Sequence, residues 1–451
     1  MESSPSMHWP RLISDKRFGL EDYHDPHKNV VRTDFRRDYD RLVFSSPFRR
    51  LQNKTQVFPL PGSIFVHNRL THSMEVACVG KSMADEIATG MRWRYAGAEW
   101  IDCFNHIGDI TAAACLAHDL GNPPFGHSGE KAISTFFSEG AGRTLQSELT
   151  PAQWADLTHF EGNANAFRVL THQFKGRRKG GFAMTYSTLA SIVKYPFESR
   201  LAKKNKFGFF SSELADFQKV ASELGLLSIP GDNGEVRYAR HPLVYIVEAA
   251  DDICYEVMDI EDAHKLKILS TREVIDAFLS FFPDERRLRM EDVMKTVTDP
   301  NEKIAYLRSC VVGILVQRCA EAFLEHEQEI LCGKFQGSLL DHIPDLEREG
   351  YARCNKISWD KIYCAGDVVD IELAGNRIIT FLLEKLTDAV LHPELNYSRL
   401  LLAKFPDQYD INAPTLFGRI QAVLDHVSAM TDVYALDLYR KLNGIQLRIE
   451  N

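Results

Sequence analysis

The stretch AHDLGNPPFGHSGE, residues 117–130, places four titratable side chains around a turn built from glycine and proline. Its first pair, His118 and Asp119, ends an apolar, alanine-rich segment. Neighbouring residues on a regular helix point about 100° apart, so this pair can hold one ion only where the backbone leaves the helix. The sequence supplies that departure directly afterwards, in Gly121, Pro123 and Pro124.

The second pair, His127 and Glu130, follows the turn at a predicted helix start. An imidazole that a carboxylate orients can transfer protons near neutral pH. The alternative is a helix-start pair whose glutamate stabilises the helix dipole. The adjoining His-Asp motif favours proton transfer. A His-Asp pair alone is weak evidence, because His24-Asp25 supplies another one in a predicted loop.

Two further segments carry candidate metal ligands. His72 opens a predicted helix with Arg69 one turn before it, a pattern that alone also fits a helix-start histidine beside a solvated arginine. On the helix predicted over 241–265, three polar residues recur every four positions and share one face: Asp251, Tyr255 and Asp259. Because apolar residues flank them, an unpaired carboxylate there would be costly to bury. The sequence therefore predicts a metal or a basic partner for Asp251.

Together these segments predict one divalent-metal site, with the ligands His72, His118, Asp119 and Asp251. Nitrogen and oxygen donors without a thiolate suit Mn or Mg, with Ni, Co or Fe as further candidates, rather than structural zinc. Four protein ligands on an octahedral ion leave positions for water and a substrate oxygen. That arrangement is typical of metal-assisted hydrolysis.

Hydrophobic periodicity predicts an all-α fold with minor short strands. Helices are predicted over 72–91, 106–121, 241–265, 301–332, 374–391, 414–431 and 432–443, and strands over 54–60 and 234–240. The sequence shows no alternating strand–helix units, no glycine-rich phosphate loop and no internal repeat. Its expected organisation is an N-terminal arm (1–45), a metal-dependent catalytic core (46–280) and a C-terminal helical region (281–451).

Composition restricts the cellular setting and the partners. The net charge of −9 argues against nucleic-acid binding as the main task. Nine cysteines without a CxxC pair predict reduced thiols in a cytoplasmic protein. The sequence has no apolar run of the kind that forms a membrane span or the core of a signal peptide. Basic clusters occur at 48–54, 175–181 and 200–206. Each is expected to be a solvated loop or part of an anion-attracting rim, and the solvated loop is favoured for the last two.

Taken in order, RLTHS (69–73), AHDLGNPPFGHSGE (117–130) and EAADDICY (248–255) resemble the HD-domain deoxynucleoside triphosphate triphosphohydrolases. The resemblance is greatest to the bacterial dGTP triphosphohydrolase branch and covers about residues 35–265 and a C-terminal patch. It extends to SPFRRLQNKTQVFPL (46–60), FEGNANAFRVL (160–170), SIVKYP (191–196) and MTDVYALDLYRKLNG (430–444). Some members of this family carry a further histidine at the position of Asn122, which leaves His127 as the main proton-transfer candidate.

The resemblance implies a role for each candidate residue. It assigns the metal to the four ligands named above, with Asp251 preferred over Asp252, and proton transfer and attack to His127 and Glu130. Residues implied to contact the sugar and its 3′-hydroxyl are Gln56, Tyr255 and Asp259. Residues implied to contact the triphosphate are Arg69, Lys194 and Tyr195.

The expected activity is hydrolysis of deoxynucleoside triphosphates, preferentially dGTP, to deoxynucleoside and inorganic triphosphate. The resemblance also implies a homo-oligomer, often a hexamer, and permits a secondary contact with single-stranded DNA. Two alternatives stay open. One is another HD phosphohydrolase, a nucleotidase or a phosphodiesterase. The other is a non-catalytic protein that binds nucleotides or single-stranded nucleic acid.

Overall fold

A computed structural model describes residues 5–25, 31–58, 66–202, 204–230 and 236–445, and their fold is all-α, as predicted. The α-helices are α1 (Trp9–Leu12), α2 (Asp34–Val43), α3 (Ser46–Arg50), α4 (Arg69–Arg94), α5 (Ile107–Ala117), α6 (Gly126–Ser138), α7 (Pro151–Thr158), α8 (Gly162–Thr171), α9 (Tyr186–Ile192), α10 (Leu214–Leu224), α11 (Pro242–Lys265), α12 (Thr271–Leu279), α13 (Asp284–Lys295), α14 (Pro300–Glu325), α15 (Glu327–Leu331), α16 (Asp345–Ile357), α17 (Gly366–Leu391), α18 (Asn396–Leu402), α19 (Leu416–Ala429) and α20 (Asp432–Leu442). A π-helical turn, Ser358–Ile362, follows α16. Strands β1 (Ser228–Pro230) and β2 (Val236–Tyr238) form an antiparallel ribbon in which Ser228 pairs with Tyr238.

The predicted helices are present, with shifted ends. The helix predicted over 106–121 ends at Ala117, where the glycine- and proline-rich turn begins, and the one predicted over 301–332 is divided into α14 and α15. The prediction of a strand over 54–60 is wrong for its described part. There the backbone N–H of Thr55 donates to a side chain, and the carbonyl of Lys54 accepts from the start of α4. Residues 59–60 and 234–235 lie outside the described residues.

The larger hydrophobic core surrounds α4, α5, α11 and α14. Helix α4 begins with a capping box in which the Asn68 side chain accepts from the backbone N–H of Thr71. Small residues let α5 approach α4 closely: a Cβ on Gly80 would lie 2.6 Å from Cys115 Sγ. Because α5 is buried along its whole length, its C-terminal end delivers the His-Asp pair into the interior.

A second hydrophobic core joins α6 and α7 to α17, α19 and α20. The predicted C-terminal region is therefore shared between two cores, since residues as late as Val368 pack in the first one. The N-terminal residues Met7, Trp9 and Leu12 are buried in that first core as well. The predicted boundaries at 45/46 and 280/281 stay predictions.

Two properties of the described chain bear on its setting. All nine cysteines are free thiols. Within the described ranges, none of the helices combines the length and the apolar character that crossing a bilayer requires.

Candidate active site

Four candidate metal ligands converge where α4, α5 and α11 meet. Helix α4 carries His72, the end of α5 carries His118 and Asp119, and α11 carries Asp251. The Nε2 atoms of His72 and His118 lie 3.0 and 3.4 Å from Asp251 Oδ1. One ligand atom from each of His72, His118 and Asp119 lies within 4.8 Å of the others. Side chains separated by up to 179 residues of sequence therefore face one point.

His118 is oriented as a metal ligand would be. Its Nδ1 donates to the carbonyl of Cys115 at 2.6 Å, which turns Nε2 toward Asp251 as the nitrogen that a cation could take from its proton. That Nε2 is buried and makes no hydrogen bond within the described part of the chain. Burial lowers the pKa of His118, but Asp119 and Asp251 outweigh it and raise the pKa to about 9. A buried nitrogen without a hydrogen bond, beside two carboxylates, fits a divalent cation.

Arg69 pairs with one of these carboxylates. Its Nη1 donates to Asp119 Oδ2 at 2.7 Å, and the Asn122 amide donates to the other oxygen of Asp119. The guanidinium is 4% exposed, and its Nε has no hydrogen-bond partner among the described residues. Arg69 therefore fixes the orientation of Asp119 and still has a free donor.

The turn that follows has an unusual backbone, which a distant side chain holds in place. Phe125 and Gly126 both adopt left-handed conformations, with φ of 62° and 55°. Such a conformation is strained for phenylalanine. Asp432, the first residue of α20, accepts the backbone N–H of Phe125 at 2.9 Å with one oxygen and that of Thr55 at 2.8 Å with the other. One carboxylate thus joins the turn to the loop that carries Gln56.

His127 and Glu130 form the expected pair. His127 Nδ1 lies 2.8 Å from Glu130 Oε2, and the other glutamate oxygen accepts the backbone N–H of Gly162 at 2.8 Å. The hydrogen bond to Glu130 and its charge raise the pKa of His127. Burial pushes the pKa of Glu130 up, but His127 outweighs it and lowers the pKa. Because the histidine side chain is 73% exposed, its Nε2 is available to a substrate.

A cleft of about 470 Å³ lies along α11 and the π-helical turn. Among the residues that line it are Gln56, His127, Tyr255 and Tyr363. Gln56 Oε1 is buried and has no hydrogen-bond partner among the described residues. A cleft of this size with polar groups facing it is typical of a small-molecule site.

Asp259 lies one turn beyond Tyr255, at a buried position. Its Oδ2 accepts the hydroxyl of Tyr363 at 3.2 Å. Burial, reinforced by the neighbouring Glu256, raises the pKa of Asp259 well above its usual range. The raised pKa favours the protonated carboxyl, the form that can donate a hydrogen bond.

The remaining two predicted residues form a separate polar cluster. Lys194 Nζ pairs with Glu248 at 3.1 Å. The Tyr195 ring has Lys194 Nζ 5.9 Å and Arg240 Cζ 5.8 Å from its centroid. Both cations form ion pairs with Glu248, and Glu248 lies on α11 about one helical turn before Asp251. These ion pairs connect the cluster to α11. Among the described residues, the cluster forms no hydrogen bond or ion pair with the four candidate ligands.

Several side chains that shape this region were not predicted. Asn122 stands within the quoted motif, and its amide type beside a His-Asp pair was the available signal. Tyr363 and Asp432 are 104 and 377 residues from their partners, Asp259 and Thr55. No local pattern marks either of these two contacts.

Comparison with known proteins identifies the family of the chain. Residues 69–254 match the HD domain family. The deoxyguanosinetriphosphate triphosphohydrolase-like protein of Pseudomonas aeruginosa is 37% identical, over 97% of this chain and 99% of its own length. The protein of the same description from Synechocystis is also 37% identical, over 98% and 100%. The deoxyguanosinetriphosphate triphosphohydrolase of Yersinia enterocolitica is 29% identical, over 96% and 98%.

Proposed function

The chain belongs to the HD-domain family of deoxyguanosinetriphosphate triphosphohydrolase-like proteins, and we propose that it hydrolyses deoxynucleoside triphosphates, dGTP foremost, in a metal-dependent reaction. The products are deoxynucleoside and inorganic triphosphate. One observation carries the proposal: two imidazoles and two carboxylates converge, and His118 Nε2 is buried without a hydrogen bond among the described residues. The ring of His72 lies 6.4 Å from that of Tyr255, which lines the cleft together with the exposed His127.

The proposed metal ligands are His72, His118, Asp119 and Asp251. A divalent cation bound there, Mn or Mg foremost, would polarise the α-phosphate and lower the pKa of a bound water. Arg69 keeps Asp119 turned toward the ligand set through its 2.7 Å hydrogen bond. Asn122 holds the other oxygen of Asp119, so two donors orient this carboxylate before a cation binds.

His127 is the proposed proton donor. Glu130 accepts the Nδ1 proton and raises the pKa of the ring, which favours the imidazolium form near neutral pH. Water adds to the α-phosphorus and loses a proton to the solvent, the bond from phosphorus to the 5′-oxygen breaks, and Nε2 of His127 delivers a proton to that oxygen. The imidazole then regains a proton from the solvent, which closes the cycle. Proton transfer of this kind typically contributes about 10²–10⁴-fold to a rate.

The substrate-binding roles follow from charge and polarity. Lys194 and Arg69 are the proposed sources of positive charge for the triphosphate, and the Tyr195 ring packs against Lys194 and Arg240. On the sugar side, Asp259 is the proposed hydrogen-bond partner of the 3′-hydroxyl, while Tyr255 and Gln56 line the cleft. A buried amide oxygen on Gln56 that lacks a partner favours a ligand that carries a hydrogen-bond donor.

The proposal also includes a cellular compartment, an oligomeric state and a second binding partner. Nine free thiols support a reducing compartment, in agreement with a cytoplasmic enzyme. A homo-oligomer, often a hexamer in this family, and a secondary contact with single-stranded DNA rest on the family resemblance alone.

The decisive experiment identifies the products. The purified protein is freed of metal, reloaded with Mn or Mg, and offered each of the four deoxynucleoside triphosphates. Release of inorganic triphosphate, with the fastest turnover on dGTP, supports the proposal. Release of pyrophosphate or orthophosphate, or turnover confined to monophosphates or cyclic nucleotides, would instead favour another HD phosphohydrolase. Nucleotide binding without turnover would favour a non-catalytic protein.

Two variants test the residue assignments in the same assay. Asp251→Asn should lose metal-dependent turnover and bound metal together, whereas His127→Gln should lose turnover, by at least about 10²-fold, while metal still binds. The matched control is His24→Gln, which alters the second His-Asp pair; His24 contacts Asp15 at the surface. Full activity in His127→Gln would remove this residue from the mechanism.

A further inference from the structure

A second, small cavity of about 30 Å³ lies between α3, α8 and α19, with Leu120 also in its lining. It adjoins a cleft of about 370 Å³, with which it shares Phe174, Gln408 and Asp425. Its volume accommodates about two waters or the inner oxygens of one tetrahedral anion. The cavity shares no lining residue with the candidate active-site cleft.

Basic side chains dominate this cavity. Arg50 comes from the first basic cluster of the sequence, Arg177 from the second, and Lys54 lies between α3 and α4. Among the described residues, no acidic side chain forms an ion pair with Arg50 or Arg177. The one carboxylate of the lining, Asp425, is bound by both the Nε and Nη2 atoms of Arg168 at 2.8 Å. The cavity therefore holds more positive charge than its own carboxylate neutralises.

Two buried polar groups, the Ser428 hydroxyl and the Lys54 ammonium group, can still donate a hydrogen bond to a ligand. Ser428 Oγ is buried and has no hydrogen-bond partner among the described residues, although Ser428 lines the cavity. Lys54 Nζ donates to the carbonyl oxygens of Asn122 and Ser428 at 2.5 and 2.7 Å, and a third proton remains. Burial, reinforced by Arg50, lowers the pKa of Lys54 to about 7. A bound anion would accept a hydrogen bond from the Ser428 hydroxyl and would stabilise the charged form of Lys54.

We propose that Arg50, Arg177 and the hydroxyl of Ser428 form a binding site for a phosphate-type anion, separate from the metal centre. The paired arginines recognise the oxygens of the anion, and the serine hydroxyl donates to one of them. The anion is free inorganic phosphate, or it is the phosphate of a nucleotide whose nucleoside lies in the adjoining cleft. Lys54 links the site to the turn through its hydrogen bond to Asn122.

The test measures binding to the full-length protein without metal, so that the result does not depend on the proposed activity. Radiolabelled inorganic phosphate is the probe, in equilibrium dialysis with EDTA present, and a 5′-deoxynucleoside monophosphate competes in a second arm. We expect one phosphate per chain in the wild type. Arg50→Gln and Arg177→Gln should each bind at least tenfold more weakly. Competition by the monophosphate at a lower concentration than unlabelled phosphate would identify the nucleotide as the source.

The chain offers a matched control beside each arginine. Arg49 and Arg178 are exposed neighbours of the two site residues, so Arg49→Gln and Arg178→Gln change the same charge and should bind phosphate like the wild type. Arg177 lies on a loop, so its replacement keeps the test valid if the Arg50 variant misfolds. No phosphate binding by the wild type at about 10 mM, or equal losses in site and control variants, would overturn the proposal. So would binding that Asp251→Asn abolishes, because the anion would then lie at the metal centre.

Discussion

Replacement of Gly162 by alanine tests how the active-site turn is held. Gly162 is the first residue of α8, and its backbone N–H donates to Glu130 Oε1 at 2.8 Å. A Cβ at this position would lie 1.9 Å from Asn122 Oδ1 and 2.6 Å from Glu130 Oε1. Both oxygens belong to side chains that orient the proposed machinery, so one methyl group would disturb the metal ligands and the proton-transfer pair together.

The expected magnitude follows from these distances. A Cβ contact below 3.0 Å essentially never occurs, so Asn122 must move by at least 3.0 − 1.9 = 1.1 Å and Glu130 by 3.0 − 2.6 = 0.4 Å. Overpacking of this kind costs about 1–3 kcal/mol, against a gain in helix propensity of at most about 1 kcal/mol. A net loss of about 1–2 kcal/mol in the free energy of unfolding is expected. A displacement of about 1 Å near the chemistry also lowers turnover by the order of 10²-fold.

The assay compares urea unfolding and turnover in Gly162→Ala with those in Gly313→Ala. Gly313 lies inside α14, where a Cβ would have no described atom within 4 Å. That control should gain about 0.5–1 kcal/mol and keep full turnover, because alanine favours the helix and meets no obstacle. If Gly162→Ala behaves like the control, the close packing of the turn against α8 is wrong.

Two further predictions concern the pair and its distant anchor. Glu130→Gln removes the charge that raises the pKa of His127, which should fall toward about 6.5. Since the imidazolium is the proposed acid, the alkaline limb of the pH–rate profile should move to lower pH. The exposed control Glu139→Gln should leave that limb in place. An unmoved alkaline limb in Glu130→Gln would contradict the assignment. Asp432→Ala leaves two backbone N–H groups without their acceptor and should reduce stability by about 3 kcal/mol and reduce kcat. Asp437→Ala, on the exposed side of α20, should cost under about 1 kcal/mol, and equal costs in thermal unfolding would refute the anchoring role.

The long helices, and the segments that carry the candidate metal ligands, could be recognised because their signals are local. Helices α4 and α11 carry apolar residues at helical spacing over several turns, and the prediction placed both of them. The ligands stand in short motifs, and the geometry that brings His72 to Asp251 needs only that α4, α5 and α11 pack together. The packing of these three elements follows from their apolar faces.

The contacts that complete the site could not be predicted, because they depend on tertiary packing. Tyr363 reaches Asp259 from beyond a π-helical turn, and no periodic pattern in the sequence marks that turn. The strand prediction over 54–60 failed for a related reason. Thr55 donates its backbone N–H to Asp432, and that partner belongs to a helix whose position is set by the second core.

The double hydrogen bond of Asp432 has a consequence for biosynthesis. A ribosome releases Thr55 377 residues, and Phe125 307 residues, before Asp432. At about 5–20 residues per second, Thr55 therefore waits roughly 20–75 s for its acceptor. During that interval a nascent chain can build its first core but cannot lock the strained turn. We therefore expect the emerging polypeptide to remain inert toward nucleotides until α20 docks, so that translation would itself time the onset of the proposed activity.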